Sequence, residues 1–183
     1  MNKAFSAWVL GIALVAPAVA AAADAPDAAQ ARGIIAQELE QDLLCVRPGE
    51  HARANAHREN NVLKAAGARI TFDDAEDTYN NYIYRFEKPL MVKGLPVYSV
   101  SQTEGENGVI ITAEVKGNPA ALARELGAKP LGKNEIVFGL GNELYQRAVS
   151  GVAGKADAII IGADDDQKAI GRFYFGCSQG AES

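Results

Sequence analysis

The stretch AIGRFYFGC, residues 169–177, decides how the C-terminal part of the chain folds. Successive side chains of a β-strand point to opposite faces of a sheet. On one face this alternation places two aromatic rings and a thiol, those of Phe173, Phe175 and Cys177. On the other it places Ile170, Arg172 and Tyr174. We therefore predict a final strand whose aromatic face is buried and brings Cys177 into the core.

Cys177 has one counterpart, Cys45, and the chain contains no other cysteine. Cys45 follows a run of apolar residues at helical spacing that ends at Leu43 and Leu44, so it too is expected near the core. An even cysteine count in an exported protein favours a disulfide. We predict a Cys45–Cys177 bond that encloses most of the chain. Two buried free thiols and an intermolecular bond remain as alternatives.

Export is indicated by residues 1–23. Lys3 is followed by the uncharged run AFSAWVLGIALVAPAVA and then by alanines that offer several A-x-A cleavage sites between Ala18 and Ala23. This is the pattern of a secretory signal peptide. The alternative, a retained membrane anchor, fits less well because the run is short and contains Pro17. We predict cleavage, a periplasmic or secreted protein, and one α+β domain over residues 24–183.

The charge of the chain restricts its partners. The formal net charge is −5, and cleavage would remove Lys3 and make it one unit more negative. Nucleic acids and anionic membranes bind basic surfaces. We therefore expect no nucleic-acid partner and no membrane insertion after cleavage, whereas the oligomeric state is not predicted.

Hydrophobic periodicity predicts the order of the elements. Ala31, Ile35, Leu39 and Leu43 recur every four residues and predict an N-terminal helix. A second helix is predicted over residues 51–67, ending at Gly67. A short helix between Asn118 and Gly127 has an N-cap asparagine, a proline at its first position and a C-terminal glycine. Strands are predicted at 68–72, 82–90, 94–102, 108–116, 134–139, 157–162 and 169–177, and the type of 142–151 is left open.

These elements predict an α+β fold in which helices pack on an antiparallel sheet, because no long crossover helices separate the strands. Ala68, Ile70 and Phe72 are expected on one face of their strand. The strand 108–116 is expected to be buried on one face only.

No metal, cofactor or catalytic site is predicted. The acidic run Asp164–Asp166 lacks the alternation of a calcium loop and is interpreted as a hairpin turn, with a weak ion site as the alternative. The acids Asp73, Asp74, Glu76 and Asp77 are interpreted in the same way. His51 and His57 are six residues apart, so they cannot bind one metal from one helix face.

The catalytic patterns are equally incomplete. No serine lies in G-x-S-x-G, and both cysteines are expected to be oxidised. The segment FGLGNEL has Leu144 where a dinucleotide fingerprint requires its third glycine. A hydrolase would need carboxylates gathered in space, such as Glu143 or Asp157.

Weak binding candidates lie in residues 82–93. The aromatic stripe Tyr82, Tyr84 and Phe86 is either core packing or an exposed ligand surface, and the opposing residues favour packing. The following segment contains Lys88, Met91 and Lys93 around two prolines. Loops on a rigid scaffold often carry binding residues.

The chain is thus expected to be a soluble exported protein without enzymatic activity that binds another protein. The most specific form of this hypothesis is a periplasmic inhibitor or immunity protein against an envelope-targeting enzyme. An acidic inhibitor would suit a basic target, since opposite fields accelerate association. The alternatives are a periplasmic small-molecule binding protein and a small carboxylate-dependent hydrolase.

Overall fold

A computed structural model describes residues 28–47, 66–75, 79–105, 108–132, 140–150 and 156–180. Its centre is one eight-stranded sheet with the order β1-β2-β3-β4-β8-β7-β6-β5, and every neighbouring pair is antiparallel. The strands are β1 (Ala68–Ala75), β2 (Tyr79–Val92), β3 (Leu95–Gly105), β4 (Gly108–Lys116), β5 (Lys129–Pro130), β6 (Glu143–Ser150), β7 (Ala156–Gly162) and β8 (Arg172–Gly180). Two four-stranded meanders, β1–β4 and β5–β8, therefore meet where β4 pairs with β8.

The described residues include three helices: α1 (Ala28–Leu43), α2 (Pro119–Leu126) and α3 (Asp165–Ala169). The α+β prediction is confirmed at this level. The predicted helix over 51–67, apart from its last two residues, and the predicted strand over 134–139 lie outside the described residues. Within the described part of the chain, no helix is long and apolar enough to cross a membrane.

One face of the sheet packs against α1 and α2, and we call it the helix face. The stripe Ala31, Ile35, Leu39 and Leu43 of α1 is buried, each residue being 5 % exposed or less. From the sheet, Phe173 and Phe175 of β8 join the same core. The predicted helical stripe and the predicted buried face of the last strand are both confirmed, because the two apolar surfaces cover each other.

Helix α2 begins and ends as its sequence predicts. The Asn118 side chain accepts hydrogen bonds from the N–H groups of Ala120 and Ala121 at 2.9 and 3.3 Å. Gly127 ends the helix in the left-handed region, with a φ of 68°. A residue with a Cβ would be strained there, so glycine fixes the C-terminus. Leu122 and Leu126 face the core.

The predicted disulfide is present. Cys45 and Cys177 are bonded, their Cα atoms are 5.2 Å apart, and they are separated by 132 residues in sequence. Cys177 has no exposed surface. The bond therefore links the chain just after α1 to the helix face of β8.

Three local predictions were wrong. A register shift between Ile70 and Phe72 makes Phe72 the partner of Ile83, so it leaves the register of Ala68 and Ile70. Both faces of β4 are buried from Gly108 to Ala113. On the face opposite the helices, Ile110 belongs to a second buried cluster with Ala158, Ile160 and Tyr174 of β7 and β8. The run Asp164–Asp166 does not form a tight turn, since it caps and begins helix α3 between β7 and β8. The segment of open type, residues 142–151, contains strand β6.

Candidate binding face

Strand register assembles a row of seven residues, all but one of them polar, on the face of the sheet opposite α1 and α2, which we call the second face. Each member of the row is the register partner of the next across seven neighbouring strands, from β1 to β6. The row consists of Arg69, Arg85, Ser99, Glu114, Tyr174, Gly162 and Glu143. Its members alternate along their strands with residues of the helix-face core, such as Phe86, Val100 and Phe175. The row is basic at the β1 end and acidic at the β6 end.

At the basic end, Arg69 and Arg85 lie directly opposite each other on β1 and β2. The Arg69 side chain is 75 % exposed and forms an ion pair with Glu87. Arg85 is also exposed, and within the described residues it has no ion-pair partner. Like charges directly opposite each other destabilise an antiparallel pair. This arginine pair therefore presents positive charge to solvent at some expense to the fold.

Next to the middle of the row, Arg172 is held on two sides. Its Nη1 donates to Glu114 Oε1 at 2.6 Å, and its guanidinium lies 3.9 Å from the centre of the Tyr98 ring. Gln167 Nε2 donates to the other carboxylate oxygen of Glu114 at 3.5 Å. The result is a fixed arrangement of an arginine on an aromatic ring. Arginine and tyrosine are the residue types that most often dominate the energetics of protein interfaces.

At the acidic end, Tyr174 is 5 % exposed and its ring lies against Gly162. A Cβ on Gly162 would lie 2.3 Å from the Tyr174 hydroxyl oxygen, so glycine is required there. Burial raises the pKa of Tyr174 well above its ordinary value, and the carboxylates of Glu143 and Asp164 raise it further. The phenol therefore keeps its proton to a higher pH than a solvent-exposed tyrosine does.

The acidic run beside Tyr174 caps a helix. Asp164 Oδ1 accepts from the Gln167 N–H at 2.7 Å, and Gln167 Oε1 accepts from the Asp164 N–H at 3.1 Å. Asp165 forms an ion pair with Lys168 at 3.0 Å. Among the residues that the structure describes, no group of three or more histidine, cysteine, aspartate or glutamate side chains could hold a metal ion.

The second acidic patch is only partly described. Asp73 and Asp74 lie in strand β1, whereas Glu76 and Asp77 fall outside the described residues, as do His51 and His57.

The aromatic part of the predicted binding set lies in the core. Tyr84 and Phe86 are 3 % and 7 % exposed and pack on the helix face. Tyr82 is partly buried against the same core. The structure therefore favours core packing for this aromatic stripe. The residues that alternate with it, Ile83 and Arg85, belong to the second face.

The rest of that set lies around the β2–β3 hairpin. Lys93 forms ion pairs with Glu40 of α1 and Glu125 of α2, at 4.0 and 3.4 Å. Lys88 is exposed, and Met91 is 57 % exposed. Lys93 therefore joins the hairpin to both helices, and Lys88 and Met91 remain accessible.

The carboxylates named for a hydrolase are not brought together. Glu143 pairs with Gly162 at one end of β7, and Asp157 lies five residues away at the other end. At about 3.4 Å per residue this corresponds to about 17 Å along the strand. Glycosidases hold their two carboxyl groups less than about 10 Å apart. Glu143 instead accepts hydrogen bonds from the backbone N–H groups of Leu140 and Gly141.

Arg69, Arg85 and Tyr98 were missed by sequence reasoning. The alternation of Arg85 with Tyr84 and Phe86 indicates which face it occupies, but its pairing with Arg69 depends on strand register.

Comparison of the chain with protein-family models, curated proteins and solved structures gave no match.

Proposed function

We propose that this chain is an exported protein that binds another protein through the second face of its sheet. In its most specific form the proposal is a periplasmic inhibitor or immunity protein directed against an envelope-targeting enzyme. The fold supports this role in a simple way. Helices α1 and α2 pack on the helix face, and the second face retains accessible charged and aromatic side chains between β1 and β4.

The observation that carries the proposal is the Arg172–Tyr98 stack, which is fixed by the 2.6 Å contact between Arg172 and Glu114. Preordered arginine and aromatic side chains lose little conformational freedom on binding, so more of their contact energy appears as affinity. A rigid antiparallel sheet holds these groups in place. Such a surface suits protein recognition better than it suits chemistry.

Export is supported by the predicted signal peptide and by the buried disulfide, which is compatible with an oxidising compartment. The hydrolase alternative is weakened by the distance between Glu143 and Asp157. The small-molecule alternative has no specific observation in its favour among the described residues.

Site-specific photo-cross-linking in cells tests the proposal. A p-benzoylphenylalanine residue at Ser101, on the second face of β3, should cross-link to a protein of the cell envelope or of the secreted fraction. The same residue at Arg124, on the exposed side of α2, is the matched control and should not give that product. Ser101 and Arg124 are both at least partly accessible, so each probe can reach a bound partner.

Mass spectrometry of the adduct then identifies the partner, and inhibition of the purified partner tests the more specific form of the proposal. Absence of any adduct from Ser101, or the same adduct from Arg124, would contradict binding through the second face.

A further inference from the structure

We propose that the Arg69–Arg85 pair is the docking site for a carboxylate-rich segment of the protein partner, an inference that rests on the proposed function. Sequence composition alone favours a basic partner for an acidic chain. The distribution of charge on the second face leads to the opposite conclusion for the surface in contact.

Positive charge is concentrated on one part of this acidic molecule. The whole chain has a formal net charge of −5. On strands β1 to β4 and β8, the end of the second face that holds Arg69 and Arg172 nevertheless carries four basic side chains against two acidic ones. The basic side chains are Arg69, Arg85, Lys116 and Arg172, and the acidic ones are Glu87 and Glu114. The acids of β1, Asp73 and Asp74, pair with Tyr82 and Asn81, toward the other end of the strand. This patch therefore has an excess of positive charge on an acidic protein.

The arginine pair has no structural use that would explain it. Paired side chains of this kind have Cβ atoms about 5 Å apart, so the two guanidinium groups repel each other. Glu87 offsets the charge of Arg69 only, and Arg85 has no ion-pair partner in the described part of the chain. Each guanidinium group can bind one carboxylate through two hydrogen bonds, so the adjacent pair matches two neighbouring carboxylates. An acidic segment would remove the repulsion and supply the missing partner.

The neighbouring residues favour a protein over a nucleic acid or a lipid surface. The Tyr98–Arg172 stack and the 57 % exposed Met91 provide apolar and aromatic contacts on the same face. An extended polyanion would also be repelled by the net negative charge of the rest of the chain. A protein loop with a few carboxylates meets the arginine pair without meeting that field.

The probe is a short fluorescein-labelled peptide with three glutamates among glycines and serines, and binding is measured by fluorescence anisotropy at several salt concentrations. The protein is the full chain purified after export with its disulfide formed. We expect saturable, salt-sensitive binding that falls at least about tenfold in R69S/R85S, because both carboxylate contacts are removed. The control R124S/K129S makes the same charge change at exposed residues of α2 and of β5, the sheet edge opposite β1, and its affinity should change by less than about twofold.

Folding of the double variant is checked by thermal melting. Removing a like-charged pair should leave Tm unchanged or higher. If the double variant is less stable, the single variant Arg85→Gln replaces it, since Arg85 makes no ion pair that the substitution could break. Equal loss of affinity in the test and control variants, or no saturable binding by the wild type, would overturn the inference.

Two further measurements distinguish a protein segment from other anionic ligands, and the docking role of the arginine pair from the proposed function. Tighter binding of duplex DNA or of phosphatidylglycerol vesicles than of the peptide would overturn the choice of a protein segment. A Ser101 cross-link that persists unchanged in R69S/R85S would overturn the docking role of the pair and leave the proposed function in place. Peptide binding that depends on the pair, without any Ser101 cross-link in cells, would instead contradict the proposed function.

Discussion

Tyr174 shows how a single residue links the polar row to the stability of the fold. Its ring fills the space left by Gly162, and its hydroxyl lies near the carboxylates of Glu143 and Asp164. Ionising this phenol would place a buried negative charge beside two others. The native state therefore holds the proton more tightly than the unfolded chain does.

This difference predicts a loss of stability in alkali. The folded pKa lies above the ordinary value of 10.0, so between the two values the native state keeps a proton that the unfolded state has lost. The free energy of unfolding should therefore fall as pH rises above about 10, by at most about 1.4 kcal/mol per pH unit from this group. Below that range its contribution does not change with pH.

Urea denaturation from pH 9 to pH 11.5 measures this dependence. The variant Tyr174→Phe removes the titrating group, so its stability should fall less steeply over the same range. The difference between the two proteins isolates Tyr174 from the lysines that titrate nearby in pH. Parallel curves for wild type and Tyr174→Phe would show that the phenol is not held neutral by the fold.

Strand β8 lies closely against β4. At Gly176 a Cβ would lie 1.9 Å from the Ile111 carbonyl oxygen of β4, a backbone atom that cannot rotate away. The two meanders join at this pair of strands. The close approach of β4 and β8 therefore depends on the absence of a side chain at Gly176.

Substitution of Gly176 by alanine should lower the free energy of unfolding by about 2–4 kcal/mol, because the strands must separate to admit the methyl group. Gly33 provides the control, since it lies inside α1 and a Cβ there would meet no atom within 4 Å. Gly33→Ala should stabilise the protein by about 0.5–1 kcal/mol through helix propensity. Denaturant unfolding measures both values, and a Gly176→Ala variant as stable as wild type would contradict the packing seen at this strand pair.

Sequence predicted the elements whose signals are local. The caps of α2 act within four residues, and the stripe of α1 and the alternation of β8 require only one element each. The shift after Ile70 could not be predicted, because it depends on how β1 matches β2. The burial of both faces of β4 depends on side chains of β7 and β8, since Ile110 packs in one cluster with Ile160 and Tyr174. The Arg69–Arg85 pair depends on the register between β1 and β2, so sequence alone could not predict the candidate site.

In the whole molecule, α1 is held to the sheet at several separate points. Arg32 donates to the carbonyl oxygens of Ala66, Lys88 and Pro89 at 2.7 to 3.0 Å. At the other end of the helix, Cys45 is bonded to Cys177 of β8. Just beyond it, the Gln179 side chain donates to the Arg47 carbonyl at 2.7 Å. The helix thus links the first meander to the last strand of the second.

The disulfide should be the largest single contribution to the stability of this arrangement. A bond between residues 132 positions apart removes about 4–5 kcal/mol of chain entropy from the unfolded state, as an upper value. The double variant C45A/C177A should therefore lose up to that amount and melt at a clearly lower temperature. Whole domains are stable by only about 5–15 kcal/mol, so the variant should lie near the limit of folding at physiological temperature.

Reduction provides the control for this variant, because it opens the same bond without removing either side chain from the core. Wild type reduced in denaturant and refolded in reductant should approach the stability of C45A/C177A. Reductant added to the native protein should act slowly, since Cys177 is buried and the bond becomes accessible only when the structure opens. Free thiols in the unreduced, denatured wild type, or equal stability of wild type and variant, would show that the link between α1 and β8 does not stabilise the fold.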